Sequence, residues 1–370
     1  MSRRLYLAQY RAFSTKGPNS FLSFNLKSPV KDYLKSPVFA QNLLNITTNN
    51  VRNEKINAYK TLPYELVPAS KDASAIKRFM TNGKELVKLY KNGIVNVWKN
   101  NKESKVILKS LLAKDVTELI KSILEKQGIE RITSKIEENK NSEGNTVDIQ
   151  IPEEGNLTRS QYQMLLKTPS DFSKLPIFSV LFAIFMECTP IIVMLVPHVV
   201  PSTCLIPRQQ KAQVARNNKH ITALKALEAL PADKEAIPKY FSRSVYHMSK
   251  QELRALSTAL QLYSSLIPVS LIPKSYLESA MKTHIDQIKC DDVLIGWYGG
   301  VWDLAPTELV RACQARAIST DNVSDQELRI KLFSWIVNFS QGRYDAGFFL
   351  HTLEADSNTY NALVNISKDF

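Results

Sequence analysis

Glu187 is the residue whose placement most needs a chemical reason. It is the single ionisable group in residues 177–196, IFSVLFAIFMECTPIIVMLV, a run long enough to span about 30 Å of hydrocarbon as a helix. A carboxylate at mid-membrane is costly and by default marks a proton or ion path, or a hydrogen bond to a neighbour. Thr189 and Pro190 stand beside it. Pro190 would free a backbone carbonyl and kink the helix, and desolvation would raise the pKa of the acid. Twelve Ile, Leu, Val and Phe residues in the run, at roughly −0.3 to −0.6 kcal/mol each, outweigh one central acid at roughly +2.5 to +3.5 kcal/mol. A transmembrane helix over 175–200 is therefore expected, with Pro176 in its first turn and Pro197 and Pro201 closing it.

No other chemistry is spelled out. His198, His220, His247, His284 and His351 are scattered, and Cys188, Cys204, Cys290 and Cys313 form neither a CxxC pair nor a zinc spacing. There is no GxSxG, HExxH, Walker A or GxGxxG pattern, and Gly299–Gly300 is only a turn signal. The reading is of a protein that is not an enzyme, with no cofactor and no metal.

Charge then locates the partners. The net charge is +13, and residues 1–200 hold 29 Lys and Arg against 18 Asp and Glu, whereas 201–370 hold 19 against 17. The only dense cluster is Arg208, Lys211, Arg216 and Lys219, just past the apolar run and without an intervening acid. It suits either anionic lipid headgroups or a ribosomal surface. DNA is not an expected partner, and no RNA-recognition motif is present.

Met1 to Lys31 contains no acid but has Arg3, Arg4, Arg11, Lys16, Lys27 and Lys31 among Leu5, Tyr6, Leu7, Tyr10 and Phe13. That is the composition of a mitochondrial transit peptide, here assigned to 1–13, followed by a Pro- and Asn-rich linker over 14–70. The helical periodicity of Ile76, Phe79, Met80, Leu86, Val87, Tyr90, Ile94, Val97 and Trp98, then of Ile107, Leu111, Val116, Leu119, Ile120, Ile123 and Leu124, predicts an N-terminal helical region over 71–174. Thr158 with Gln161 predicts a capping box. The acidic stretch 137–155 reads as a loop.

After the apolar run the pattern stays helical. Ser249 with Glu252 and Ser324 with Glu327 are capping boxes, and SKQELRALSTAL resembles APTELVRACQAR, aligning Glu252 with Glu308. Leu277, Met281 and Ile285 correspond to Leu328, Leu332 and Ile336, so two helix pairs are implied. Trp297, Tyr298, Trp302 and Trp335 are either core or contact hot spots, core being favoured. The fold class is all-α.

The run from Leu157 to Gln209, with LTR at its start, Asp171, FMECTP and VPSTC at 200–204, resembles the signature of the LETM family of leucine zipper, EF-hand and transmembrane proteins. KELVKLYKNGIVNVWKN at 84–100 resembles that family's helix before the membrane. The resemblance implies a single-pass mitochondrial inner-membrane protein of the short fungal type. Residues 71–174 would lie in the intermembrane space, a 14-3-3-like, ribosome-binding helical domain over 201–345 in the matrix, and a tail over 346–370 beyond it. It implies a receptor for mitochondrial ribosomes that serves insertion and assembly of respiratory-chain subunits, linked to potassium/proton homeostasis. The alternative is a homo-oligomeric potassium or calcium/proton antiporter working through Glu187. No calcium loop and no heptad after residue 340 is present, so calcium sensing and a zipper are not expected.

Overall fold

The computed structural model describes residues 74–125, 157–185, 199–227, 236–264, 267–297, 300–302, 304–341 and 344–351. Among these every regular element is helical and there is no strand. The expected transit peptide, linker, acidic loop and Glu187, Thr189 and Pro190 lie outside the described residues. No helix among the described residues is long and apolar enough to cross a membrane. The expected span is described only as far as Phe185.

The chain divides into two compact units, one built on residues 58–216 and the other on 217–263 and 269–370. The first rests on α1 (Ala75–Ser110), α2 (116–125) and α3 (Arg159–Phe185). Helix α1 starts where the Ser74 hydroxyl accepts the Lys77 N–H. It ends at Ser110 with Leu111 as its C-cap, and the next residue, Leu112, is left-handed at φ 56°. The two apolar stripes expected here thus fall on one 36-residue helix and a short second one.

Helix α3 opens on the expected capping box: Gln161 N–H donates to Thr158 Oγ1 at 3.2 Å, and Thr158 N–H donates to Gln161 Oε1 at 2.9 Å. It then runs without a break through Pro169 and Pro176. Pro176 was expected in the first turn of a separate span and instead lies inside this longer helix.

α1 and α3 pack antiparallel. Ser104 Oγ donates to Thr168 Oγ1 at 3.2 Å, the Trp98 and Phe172 rings are 5.8 Å apart, and Tyr90 meets Phe178 and Phe182 edge-on. The buried seam of α1 is Leu89, Tyr90, Gly93, Val97, Ser104 and Ile107, an i, i+4 row of the kind that fits into a neighbour's groove.

The second unit holds the end of α4 (Pro207–Lys225), α5 (Ala236–Phe241), α6 (Lys250–Ala259), α7 (Lys274–Trp297), α8 (Pro306–Ala315) and α9 (Asp325–Gln341). The internal repeat is visible in backbone detail. α6 starts on the full Ser249/Glu252 capping box. At the other ends, Leu262 N–H reaches Ser257 O and Ile318 N–H reaches Cys313 O, with Gln261 and Ala317 left-handed at φ 55° and 56°. These are matching Schellman closures, made without glycine. α6 packs on α7 and α8 on α9. Leu277, Met281, Ile285, Leu328, Leu332 and Ile336 are all buried in one core, as their spacing predicts.

That core extends further than expected. Residues 346–350 form a 3-10 turn whose Phe348, Phe349 and Leu350 are buried against Phe241, Trp335 and Phe339. Gly347 is required there, because a Cβ would collide with the Tyr240 carbonyl. The start of the expected tail therefore belongs to the folded unit, and Trp335 is core rather than a contact residue.

Candidate functional site

Three features of the described structure bear on function: a lock that closes the first unit, exposed basic faces on two helices, and a buried ionic cluster in the second unit.

The lock follows the apolar run. Val200 sits in the same apolar cluster as Leu89, Tyr90 and Phe178. The buried Asp171 carboxylate on α3 accepts the Ser202 N–H at 2.7 Å and the Ser202 hydroxyl, fixing a 3-10 turn over Ser202–Cys204. Thr203 Oγ1 donates to Gly93 O at 3.0 Å, and the fully buried Cys204 thiol lies over Tyr90 O. A Cβ at position 93 would strike Cys204 Sγ and sit 3.0 Å from Thr203 O, so only glycine lets the turn reach α1. Burial pushes the Cys204 thiol up to about 12. It is a packing group, not a nucleophile.

Arg208, Lys211, Arg216 and Lys219 are all exposed, on about 140° of the circumference of α4. Lys225 on the same helix behaves differently. Its amine donates to Phe349 O at 3.0 Å, and burial pushes it down to about 7.

The larger basic face lies on α1 and was missed in the sequence, where Arg208–Lys219 stood out as the only dense cluster. Lys77, Lys84, Lys88, Lys91, Lys99, Lys102, Lys105 and Lys109 are exposed. At 100° per residue they share an arc of about 120°, directly opposite the seam that packs on α3. Val95 and Val106 are exposed on the same arc, while Trp98, at its edge and 52% exposed, reaches round to the Phe172 ring on α3. The signal was available, since these lysines recur at steps of three, four, seven and eight. It was masked because the apolar stripe on the other side of the helix dominated the pattern.

At its far end α3 exposes Ile177, Val180 and Ile184, at 60, 59 and 67%, although Phe178 between them is buried. Spacings of three and four place the three on one side, an apolar strip with no protein partner among the described residues.

In the second unit Arg316 is fully buried. Its guanidinium donates to Asp291 Oδ2 at 2.9 Å, to Asp292 Oδ1 at 2.6 and 3.1 Å, and to Ala312 O at 2.8 Å, with the Trp335 ring 5.6 Å away. The two carboxylates hold it well above the usual guanidinium value although burial opposes them. Beside it, His284 Nε2 lies 2.8 Å from Ala315 O. Burial, with Arg316 adding to it, pushes the imidazole down to about 4 from 6.5 despite that hydrogen bond.

The folded pKa of His284 is thus depressed. Its contribution is whole above pH 6.5 and is lost as pH falls through 4, amounting to at most ~3 kcal/mol. The unfolding midpoint of the full chain should fall steeply between pH 6.5 and 4, and His284→Gln should flatten that slope. An unchanged slope would show that His284 is not the linked group.

Among the described residues no group of His, Cys, Asp and Glu is arranged to hold a metal ion. Of the candidates drawn from sequence, Arg208, Lys211, Arg216 and Lys219 share one helix surface, whereas Glu187, Thr189 and Pro190 lie outside the described residues.

No curated protein and no solved structure matches the chain. The LETM assignment expected from the 157–209 signature is incorrect, because the profile that matches is a different one. The residues that suggested it, LTR, Asp171 and VPSTC, are accounted for by the α3 cap and the Asp171–Ser202 lock. The ribosome-binding domain inferred from that likeness loses its ground with it. The profile of the pentamidine resistance factor domain, PNT1, covers residues 71–295, from the start of α1 through most of α7, and over these 225 of 370 residues the chain belongs to that family.

Proposed function

We propose that this chain is a mitochondrial inner-membrane docking protein that helps newly made respiratory-chain subunits reach and assemble in the membrane. The observation that carries the reading is the outer face of α1. Eight exposed lysines stand along roughly 48 Å of one helix, in the same unit as the apolar run and the apolar strip on α3. A unit held at a lipid surface with a long cationic face turned outward suits a large polyanion, and the ribosomal surface is the polyanion that synthesis of such subunits brings to the membrane. The acid-free leader supports a mitochondrial address. With the LETM likeness gone, the ribosome rests on charge alone. The second unit is read as a rigid helical body for protein contacts. The family's description as a pentamidine resistance factor makes growth in that drug a useful secondary readout.

The test is sedimentation of full-length protein with mitochondrial ribosomes after mild detergent extraction. It should migrate with the ribosome at low salt and leave it between 50 and 200 mM, where six to ten phosphate contacts cost about a thousandfold or more in affinity. A protein that stays at the top of the gradient at low salt refutes the docking role.

A further inference from the structure

Helix α4 carries a second cationic face, built differently from that of α1. Pro207 takes its first position, and Gln209 Oε1 accepts the Ile206 N–H at 3.2 Å, which fixes the start of the helix. The inner side is fixed as well: Ile221 and Leu224 are buried in the core, and the Asn218 amide is bonded to Gln314 and Thr320. On the outer arc, Arg208, Lys211, Ala212, Ala215, Arg216 and Lys219 are exposed. At 100° per residue, Arg208 and Lys219 lie along the middle of that arc about 16 Å apart, while Lys211 and Arg216 stand on its two edges, about 140° apart. Ala212 and Ala215 fill the space between them. The face is four cations around an alanine floor. No acid occurs in the sequence from 188 to 227, and none among the described residues pairs with the four cations.

A flat polyanion would meet the cations in the middle of the arc and leave those at its edges splayed sideways. A groove walled by two ridges of phosphate takes the edge cations on its walls and the middle ones along its length. A helix that lies in a membrane surface brings Trp, Phe or Leu to the headgroup layer. This arc has none, whereas the exposed Ile177, Val180 and Ile184 of α3 are of that kind. The alanine floor carries no donor or acceptor, so it does not read base edges as a helix in the DNA major groove does. It does allow close approach to sugars. The minor groove of an RNA duplex is wide and shallow, and it is recognised by shape and by phosphate and 2′-hydroxyl contacts. We infer that α4 lies along the minor groove of double-stranded RNA, with Lys211 and Arg216 on the phosphates of the two strands and Ala212 and Ala215 against the riboses. This deepens the docking reading and rests on it only for the source of the RNA, the ribosome; the binding itself is measured without ribosomes.

The experiment titrates full-length protein in neutral detergent against a fluorescent RNA duplex of about 20 base pairs, longer than the roughly 16 that a double-stranded-RNA module spans. The duplex should bind about tenfold tighter than the single strand or the DNA duplex of the same sequence. Ala212→Leu with Ala215→Leu leaves the charge unchanged and keeps a good helix former, and by lifting the floor off the sugars it should weaken duplex binding about tenfold. Lys211→Ala with Arg216→Ala should lower the slope of log affinity against log salt by about two. Equal binding of the DNA duplex, or a leucine variant that binds as the unsubstituted chain does, overturns the inference. Release of the RNA by mixed micelles carrying an equal charge of anionic phospholipid assigns the face to lipid and also overturns it. The titrations are repeated with Lys91, Lys99, Lys102 and Lys105 on α1 changed to Gln. The preference for duplex RNA and its sensitivity to the two leucines should persist there; loss of binding would mean that α1 held the RNA, and overturns the assignment to α4. Failure of α1 to dock a ribosome would leave these titrations unchanged.

Discussion

Replacing Arg316 by methionine should destabilise the C-terminal unit by about 3–5 kcal/mol, the largest effect expected of any single substitution. The side chain is fully buried and is the shared partner of Asp291 and Asp292, themselves 3% exposed. Removing it leaves two carboxylates facing each other in a low-dielectric interior without their cation, which costs far more than the net worth of the original cluster. Their escape is to take up protons, so the variant should recover part of its stability as pH falls. That trend opposes the one expected of His284 in the unsubstituted chain. Adding Asp291→Asn and Asp292→Asn to Arg316→Met should also restore part of the loss, because no charge then remains buried. The measurement is the denaturant midpoint of the full chain, followed by the fluorescence of Trp335, which packs against the guanidinium. A loss below about 1 kcal/mol would mean that water reaches the two aspartates.

Gly93→Ala is the counterpart in the first unit. The added methyl meets Cys204 Sγ and the Thr203 carbonyl, so either the 3-10 turn withdraws or α1 shifts against α3. Overpacking of this kind costs about 1–3 kcal/mol, and the Asp171–Ser202 hydrogen bonds are exposed to the strain because they hold the same turn. The expected result is faster cleavage of the full-length protein by trypsin at the α1 lysines. Cys204→Ala removes the sulfur that the methyl strikes. The double variant should therefore be more stable than the sum of the two single losses predicts, a coupling of the sort contacting residues show. Strict additivity would place the strain elsewhere.

Where local rules govern, the sequence was legible. The Thr158/Gln161 and Ser249/Glu252 boxes need only a hydroxyl and a carboxyl or amide three residues apart. The buried rows Leu277, Met281, Ile285 and Leu328, Leu332, Ile336 need only a helical period. Long-range partners were not legible. Nothing in Arg316 or in Asp291 and Asp292, about 25 residues away, announces that they meet, since each is an ordinary surface residue type. Gly93 reads as a weak point in a helix until the 202–204 turn is placed against it. The same contacts misled the family reading: Asp171 and VPSTC looked like a family signature and act as one closed joint. The apolar run was read correctly as apolar, but a hydropathy pattern carries no record of where its two ends are held.

The central claim is that the lysine face of α1 docks a polyanionic ribosomal surface from the membrane. It is tested most directly by sedimentation of the full-length chain carrying Lys91→Glu, Lys99→Glu, Lys102→Glu and Lys105→Glu together. These side chains are exposed and lie opposite the packed seam, so the fold should survive. The account predicts that the variant still pellets with the inner membrane but no longer migrates with mitochondrial ribosomes at low salt. A variant that migrates with the ribosome as the unsubstituted protein does would contradict it.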